Sequence, residues 1–443
     1  MRFAASFRRP SILLLAIALV GAVLVPQASA QETLTLEDAL KLARDRNGSL
    51  RAAYLNVLAA ESRVRQSGAV FLPTVTPSAS YRSNRTEVSK GAFVQSEGAS
   101  TRVDANWLIL DSGSRLDSLR ASKASAEAQR FSTSVTLRNT LYSVHTQFYD
   151  TLRAQELYRV TQSQVARAEK ILDQVKTGIQ LRSVAAKDEL QAQADLLNAK
   201  VSALTSLNRT AATQATLKGT LGLDQEKDLP KLVAPDLASD EPADMRSINV
   251  EADRQSLKAI TEKAIRTRPD LRAQRFSINS QEFSVGRLKK RAGLSYTVEA
   301  GFNQTLTPDA LEARALTFSL SYPLFDGNAS REAVRESQYN LAGAREELIQ
   351  AERTARAEIE STYKEYLQNG DRLVAAKAAL AAARKNYEAA VESQTSGAAD
   401  LIDVLTAQVS LVTAESNYIE AVYDYKISSV KLKLVTGEAL PGQ

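Results

Sequence analysis

Chemistry in this chain has few residue types to draw on. There is one histidine, His145, and no cysteine among 443 residues. Thiol nucleophiles, disulfides, iron–sulfur clusters and cysteine zinc sites are therefore excluded. A Ser–His–Asp centre would hang on His145 alone, and His145 lies in an apolar helical seam, where packing is the expected role. No phosphate loop follows a strand, and no carboxylate pair is placed for acid–base work. The chain is read as a non-enzyme with no cofactor and no metal site. What remains is a set of repeated acids. Asp188 and Asp403 stand 215 residues apart, each after a glycine, Gly178 and Gly397. Asp111 and Asp326 share that spacing and open long helices, where an N-cap is expected.

The first 30 residues read as an address. Arg2, Arg8 and Arg9 precede an apolar run from Ile12 to Val25, and Ala28-Ser29-Ala30 matches a cleavage site. No cysteine follows, so no lipid anchor is expected. Removing the three arginines lowers the formal net charge from +5 to +2, which takes away the main support for nucleic-acid binding. No other stretch approaches the roughly 20 apolar residues of a spanning helix.

The elements that position the acids come in two copies. The run from Arg44 to Ala52 parallels the run from Arg266 to Ala273, and Trp107-Leu108-Ile109-Leu110-Asp111 parallels Tyr322-Pro323-Leu324-Phe325-Asp326. Each copy reads as helix, two strands, long helix, second long helix. Residues 31–223 form the first repeat, 224–253 a proline-bearing surface linker, and 254–443 the second repeat. Ser114 to Thr177 contains neither glycine nor proline, and returns are expected over 179–218 and 398–436. Val404, Leu411, Tyr418, Tyr425 and Leu432 recur every seven residues, as do Leu190, Leu197, Leu204 and Ala211. That period predicts helices wrapped on neighbours as coiled coils. Gly178 and Gly397 then mark the hairpin tips, with a helix C-cap as the simplest role.

Tyr296, Val298, Ala300 and Phe302 alternate with polar residues, as do Leu316, Phe318, Leu320 and Tyr322, and Val103, Ala105, Trp107 and Ile109. Period-two alternation predicts strands with one apolar face. Their length suits a tilted membrane strand, and Trp107 and Tyr322 sit where interfacial aromatics would lie. The simpler reading is a half-buried sheet in a soluble domain; if the strands span a membrane instead, four per chain cannot close a barrel and open edges are not tolerated in lipid, so copies must join.

These residues together resemble the outer membrane efflux (TolC-like) family. Leu34-Thr35-Leu36-Glu37-Asp38-Ala39-Leu40 is similar to its first helix, Arg268-Pro269-Asp270-Leu271 to the second-repeat counterpart, and Tyr322-Pro323-Leu324-Phe325-Asp326-Gly327 to its strand-to-helix turn. Gly397 followed by Asp403-Val404-Leu405 resembles the tip of the second hairpin. The resemblance implies a mainly α fold with a membrane β-barrel. Long coiled-coil hairpins would form an α-barrel, and a homotrimer would close twelve strands. It implies a passive exit duct of a tripartite efflux or type I secretion system, in the outer membrane of a Gram-negative type bacterium and extending into the periplasm. Its partners would be outer membrane lipid, a periplasmic adaptor (membrane fusion) protein and an inner-membrane pump of RND or ABC type. Asp403 would sit in a three-fold ring at the constriction, with Asp400 and Asp188 as further candidates. The family's second tip acid falls on Thr406 and a basic partner on Ala399, so the latch is only partly present. Gly178, Gly397 and Arg182 are the adaptor-docking candidates, and Lys187 is an alternative ion-pair partner beside Arg182. The competing reading is a periplasmic coiled-coil adaptor or scaffold without a barrel.

Overall fold

In the computed structural model the chain runs β1 (Thr33–Leu34), α1 (Leu36–Arg46), α2 (Gly48–Ala69), β2 (Thr74–Ser89), β3 (Ala92–Leu110), α3 (Ser114–Gln180) and α4 (Ala186–Leu221). The second half follows as β4 (Lys231–Leu232), α5 (Val250–Thr267), α6 (Pro269–Arg291), β5 (Ser295–Thr307), β6 (Leu311–Ser321), α7 (Ala329–Thr395) and α8 (Leu401–Val435). Residues 33–181, 185–234, 250–307, 309–396 and 398–442 are described, with α5 side chains from residue 256. The signal segment, Arg182, Gly397 and 235–249 of the linker lie outside the described residues.

The helices form where good helix formers run unbroken. Both α3 and α7 have 67 residues, which is about 100 Å at 1.5 Å per residue. No described helix is long and apolar enough to cross a membrane. Near the sheet, neighbouring helices follow the order α2–α3–α6–α7. The antiparallel sheet has the order β2–β3–β5–β6, so each helix continues its strand's place in the layer. Towards the hairpin tips the order becomes α4–α3–α8–α7. The molecule is thus a curtain one element thick, with α3 in its middle.

Strand passes to helix through the same turn in both repeats. Ser112 (φ 56°) and Gly113 (φ 87°) are consecutive left-handed residues, and so are Gly327 (φ 68°) and Asn328 (φ 69°). The amides of Ser114 and Ala329 close these turns onto the carbonyls of Asp111 and Asp326, at 3.1 and 3.4 Å. Glycine supplies one left-handed residue in each turn at no steric cost. Gly286 has a different reason: a Cβ there would come 2.7 Å from Asp117 Oδ2, where α6 passes closest to α3.

A girdle thickens the curtain at mid-height. Leu34 of β1, Leu40 of α1, Phe148 of α3, Leu221 of α4, Leu232 of β4 and Tyr423 of α8 share one cluster. Burying each large apolar side chain contributes about 1.5–3 kcal/mol. The linker is therefore not simply surface: β4 pairs in parallel with β1, Thr33 against Lys231, and delivers Leu232 to the core. Two-residue strands carry no periodicity, so sequence patterning could not show this.

Candidate functional site

The sheet is the first part of the candidate site. Its register lines Val75, Ala105, Ala300 and Leu316 in one row, and Pro77, Val103, Phe302 and Arg314 in the next. Trp107, Val298 and Phe318 form a third row, and Tyr296 and Leu320 a fourth. Opposed residues of antiparallel strands share a face. The other face carries Thr74, Asn106, Glu299 and Thr317, then Thr76, Asp104, Gly301 and Ala315. One side is an apolar band and the other is polar. Neither is covered: Val75, Phe318 and Leu320 are each at least 60% exposed, and every residue of β2 and β6 is exposed. Both outer strands leave a free edge. Trp107 and Tyr322 lie at the helix end of this band, 44% and 58% exposed. Trp107 Nε1–H donates to the Phe71 carbonyl at 3.0 Å.

Asp111 and Asp326 stand at the junction. The helix N-caps themselves are Gly113 and Asn328. The carboxylates reach the helix from two residues earlier, accepting from the amides of Arg115 at 2.6 Å and Ser330 at 2.9 Å. Hydrogen bonding to Ser330 holds the Asp326 carboxyl below its ordinary range.

The hairpin tips form the second part. Asp400 is the N-cap of α8, and Asp403 Oδ2 accepts the Asp400 amide at 3.1 Å, in a capping box. Asp403 is exposed beside buried Val404. Asp188 holds the same third helical position on α4, half-buried, but the N-cap there is Ala185, which has no capping side chain. Ile171, Leu172 and Val175 of α3 pack against Ala192 of α4 and Val404 of α8, so the two tips are held together. Lys187 is exposed. Gly178 is not a cap: it lies inside the last turn of α3, and Leu181 is the C-cap. Helical i→i−4 bonding runs past the glycine because the Leu181 amide still reaches the Thr177 carbonyl at 3.1 Å.

A third set of residues was not visible in sequence. Asp424 of α8 accepts from Arg153 of α3 and Arg372 of α7, both at 2.8 Å. Arg153 also pairs with Asp150, and Arg372 with Glu420 at 3.5 Å. This network joins both hairpins of one chain. At its C-terminal end, α8 gives the Lys433 and Leu434 carbonyls to Arg138, both at 3.0 Å, and the Val435 carbonyl to Arg268 at 3.2 Å. Arg138 thereby adds to the backbone amides of Gly437 and Glu438 already on the Leu434 and Lys433 carbonyls, and Arg268 takes the Val435 carbonyl at the helix end. Burial, then the nearby Arg268 charge, lowers the Arg138 pKa. The only sequence signal was the Arg268-Pro269-Asp270 repeat motif itself. Its arginine pairs with Asp270 at 2.8 Å and Glu358 at 2.7 Å.

His145 is 2% exposed, and neither ring nitrogen makes a well-formed hydrogen bond. Burial pushes its pKa down to about 4. Its ring centre lies 6.3 Å from that of Tyr149. No group of three or more metal-ligating side chains occurs among the described residues.

Comparison with known proteins matches this architecture. A family model described as outer membrane efflux protein covers residues 39–223 and 260–438. The outer membrane efflux protein BepC of Brucella suis is 22% identical, over 97% of this chain and 90% of its own. The outer membrane protein TolC of Escherichia coli is 23% identical, over 95% and 85%. Among solved structures, the outer-membrane channel OprN superposes with a TM-score of 0.77 at 19% identity, covering 91% of this chain and 90% of that one.

Proposed function

The chain belongs to the outer membrane efflux protein family, and on that premise we propose that it is the outer membrane exit duct of a tripartite efflux or type I secretion system. The observation that carries this reading is the uncovered sheet with two free edges. An open edge in lipid leaves backbone groups unsatisfied. Pairing β6 of one copy with β2 of the next removes both edges. The helices offer matching edges on the same sides: α2 and α4 along one margin, α7 along the other. Such a head-to-tail contact closes into a ring. Two copies would give eight strands, a bore filled by side chains, whereas three give twelve and leave room for water. The polar face then lines the bore and the apolar face meets lipid.

In this reading three copies form one wall through outer membrane and periplasm. Transport through it is passive, with energy supplied by an inner-membrane pump of RND or ABC type through a periplasmic adaptor. Adaptor binding at the hairpin tips would shift the population towards an open tip. Asp403, with Asp400 and Asp188, would place a ring of negative charge there, which favours cations. The repeats at 31–223 and 254–443 would each supply half of every protomer's share of the wall, after removal of the signal segment. The scaffold alternative requires something to cover the apolar band, and no described element does so.

The test is to express the precursor in a Gram-negative host and separate outer membrane from periplasm. The detergent-extracted complex is then weighed. A trimer in the outer membrane with ion conductance in planar bilayers is expected. A soluble monomer in the periplasm would replace the duct with the scaffold.

A further inference from the structure

Just below the sheet, a groove opens across α3 between α2 and α6, with about 240 Å³ of space. That is less than the roughly 300–1,000 Å³ of sites for drug-sized ligands, and it suits one small group. Arg63 of α2 and Arg287 of α6 line it from opposite sides. Among the described residues neither guanidinium has an ion pair or hydrogen-bond partner. Several nearby cations are paired instead. Arg115 pairs with Asp111 at 3.3 Å, and Asp117 takes both Lys290 at 2.6 Å and Arg120 at 3.5 Å. Arg345 pairs with Glu282 at 2.6 Å. No carboxylate lines the groove.

The rest of the lining consists of serines and two alanines. Ser118 and Ser125 of α3 have no acceptor for their hydroxyl protons among the described residues. Ser67 gives its proton to the Arg63 carbonyl at 3.0 Å and Ser122 gives its own to Ser67 at 2.7 Å, so this pair has none to spare. Ser280 and Ser284 give theirs to the carbonyls of Ala121 and Ser280, at 2.9 and 3.0 Å. Two cations and two hydroxyl donors, Ser118 and Ser125, therefore line one space without a counter-charge. Two like charges beside the same groove repel, and an anion between them reverses the sign of that energy. Donors arriving from three helices match a group with several oxygens, and arginine binds phosphate through paired N–H donors.

We infer that this groove binds a phosphate group, carried by a phospholipid headgroup or free in solution as inorganic phosphate. Its height bears on the source. Ser280 and Arg287 are 11 and 4 residues from the end of α6, about 6–17 Å below the strands. Under the outer-membrane reading proposed above, on which the lipid source alone rests, this is headgroup depth.

The experiment uses the full-length protein extracted in detergent. Native mass spectrometry follows retention of short-chain phosphatidylglycerol, with the matching diacylglycerol, which has no phosphate, as control. Calorimetry follows inorganic phosphate. The wild type should hold the phospholipid and not the diacylglycerol. Arg63→Gln with Arg287→Gln should weaken binding at least tenfold, while Arg335→Gln, whose arginine is paired with Glu332, should leave it unchanged. Retention of the lipid assigns the phosphate to a headgroup, and heat from inorganic phosphate without lipid retention assigns it to solution. Binding of neither probe, or equal binding by the double variant, overturns the site. Trimer mass and conductance on the same preparation separate that failure from failure of the duct reading.

Discussion

The returning helices α4 and α8 are sequence equivalents whose surroundings differ. Each carries a heptad seam, that of α8 (Val404, Leu411, Tyr418) standing one residue out of the 215-residue register with that of α4 (Leu190, Leu197, Leu204). On α8 the seam is inside the chain: Val404 is 1% exposed and Leu411 4%. On α4 it is outside: Leu190, Leu197 and Leu204 are 69%, 63% and 62% exposed, while Ala192 and Ala199 are buried. At the register-matched positions Leu405 and Val412 of α8 are half-buried rather than exposed, and the reason is position in the curtain. Helix α8 lies between α3 and α7, whereas α4 touches α3 and, near its end, α1, and is otherwise an edge. A heptad repeat states that a helix needs a partner on that face. It does not state whether the partner belongs to the same chain. The long partners show the same asymmetry. Both have 67 residues, but α3 buries nineteen of them, Leu141, Val144 and Phe148 fully, while edge helix α7 buries five, Ile359 and Leu373 among them.

The largest effect should separate the two seams directly. Leu411→Ala removes a buried side chain and should cost the protomer about 2–5 kcal/mol. Leu197→Ala with Leu204→Ala should leave the protomer's fold intact and lower trimer stability at least tenfold. Thermal melting and light scattering in detergent, over a dilution series, read both. If the α4 pair melts like the α8 variant at every concentration, the exposed seam is not an assembly face.

A second, smaller effect tests the burial of α3 against the edge position of α7. His145 has Glu360 as its counterpart 215 residues on, exposed and paired with Lys364 at 2.6 Å. The folded His145 pKa of about 4 is below the unfolded value of about 6.5. As pH falls below 6.5 the unfolded chain takes up a proton that the folded chain refuses. Stability should fall between about pH 6.5 and 4, by about 3 kcal/mol at most. His145→Leu should flatten that part of the profile in a pH series of melts, and an unchanged slope would place its origin elsewhere.

The smallest effect concerns the tips. Asp403→Asn weakens the capping box that α8 has and α4 lacks by removing the carboxylate charge from the helix N-terminus, and should cost about 0.3–1 kcal/mol. Asp188→Asn, with no N-cap side chain to reciprocate, should cost less. If Asp403 also faces the constriction, its substitution lowers cation selectivity of the reconstituted pore. Unchanged selectivity would leave it as a cap only.

Much of this was legible because it repeats. Unbroken helix formers gave α3 from Ser114, three residues short of its end at Gln180, and alternation gave the apolar row through Val298 and Phe318. The 215-residue offset gave matching turns at Asp111 and Asp326. What was not legible depends on contacts far apart in sequence. Arg138 meets the α8 carbonyls across some 295 residues, and Asp424 meets Arg153 across 271. The β1–β4 pair is too short to show a pattern. Gly178 misled because glycine permits a helix end without imposing one. The overlong hairpin of β2 and β3, with 16 and 19 residues against 13 and 11 in β5 and β6, was also missed, since its outer half, where Val88, Phe93 and Val94 cluster at the turn, shows no sustained alternation.

The one-element thickness of the curtain has a thermodynamic consequence. Outside the girdle, each side chain stands one layer from solvent or lipid on both sides, so little apolar surface is sequestered until copies meet. Folding free energy and association free energy are then coupled, and the midpoint of unfolding becomes a function of protein concentration. A melting temperature for such a wall has meaning only when quoted with its molarity.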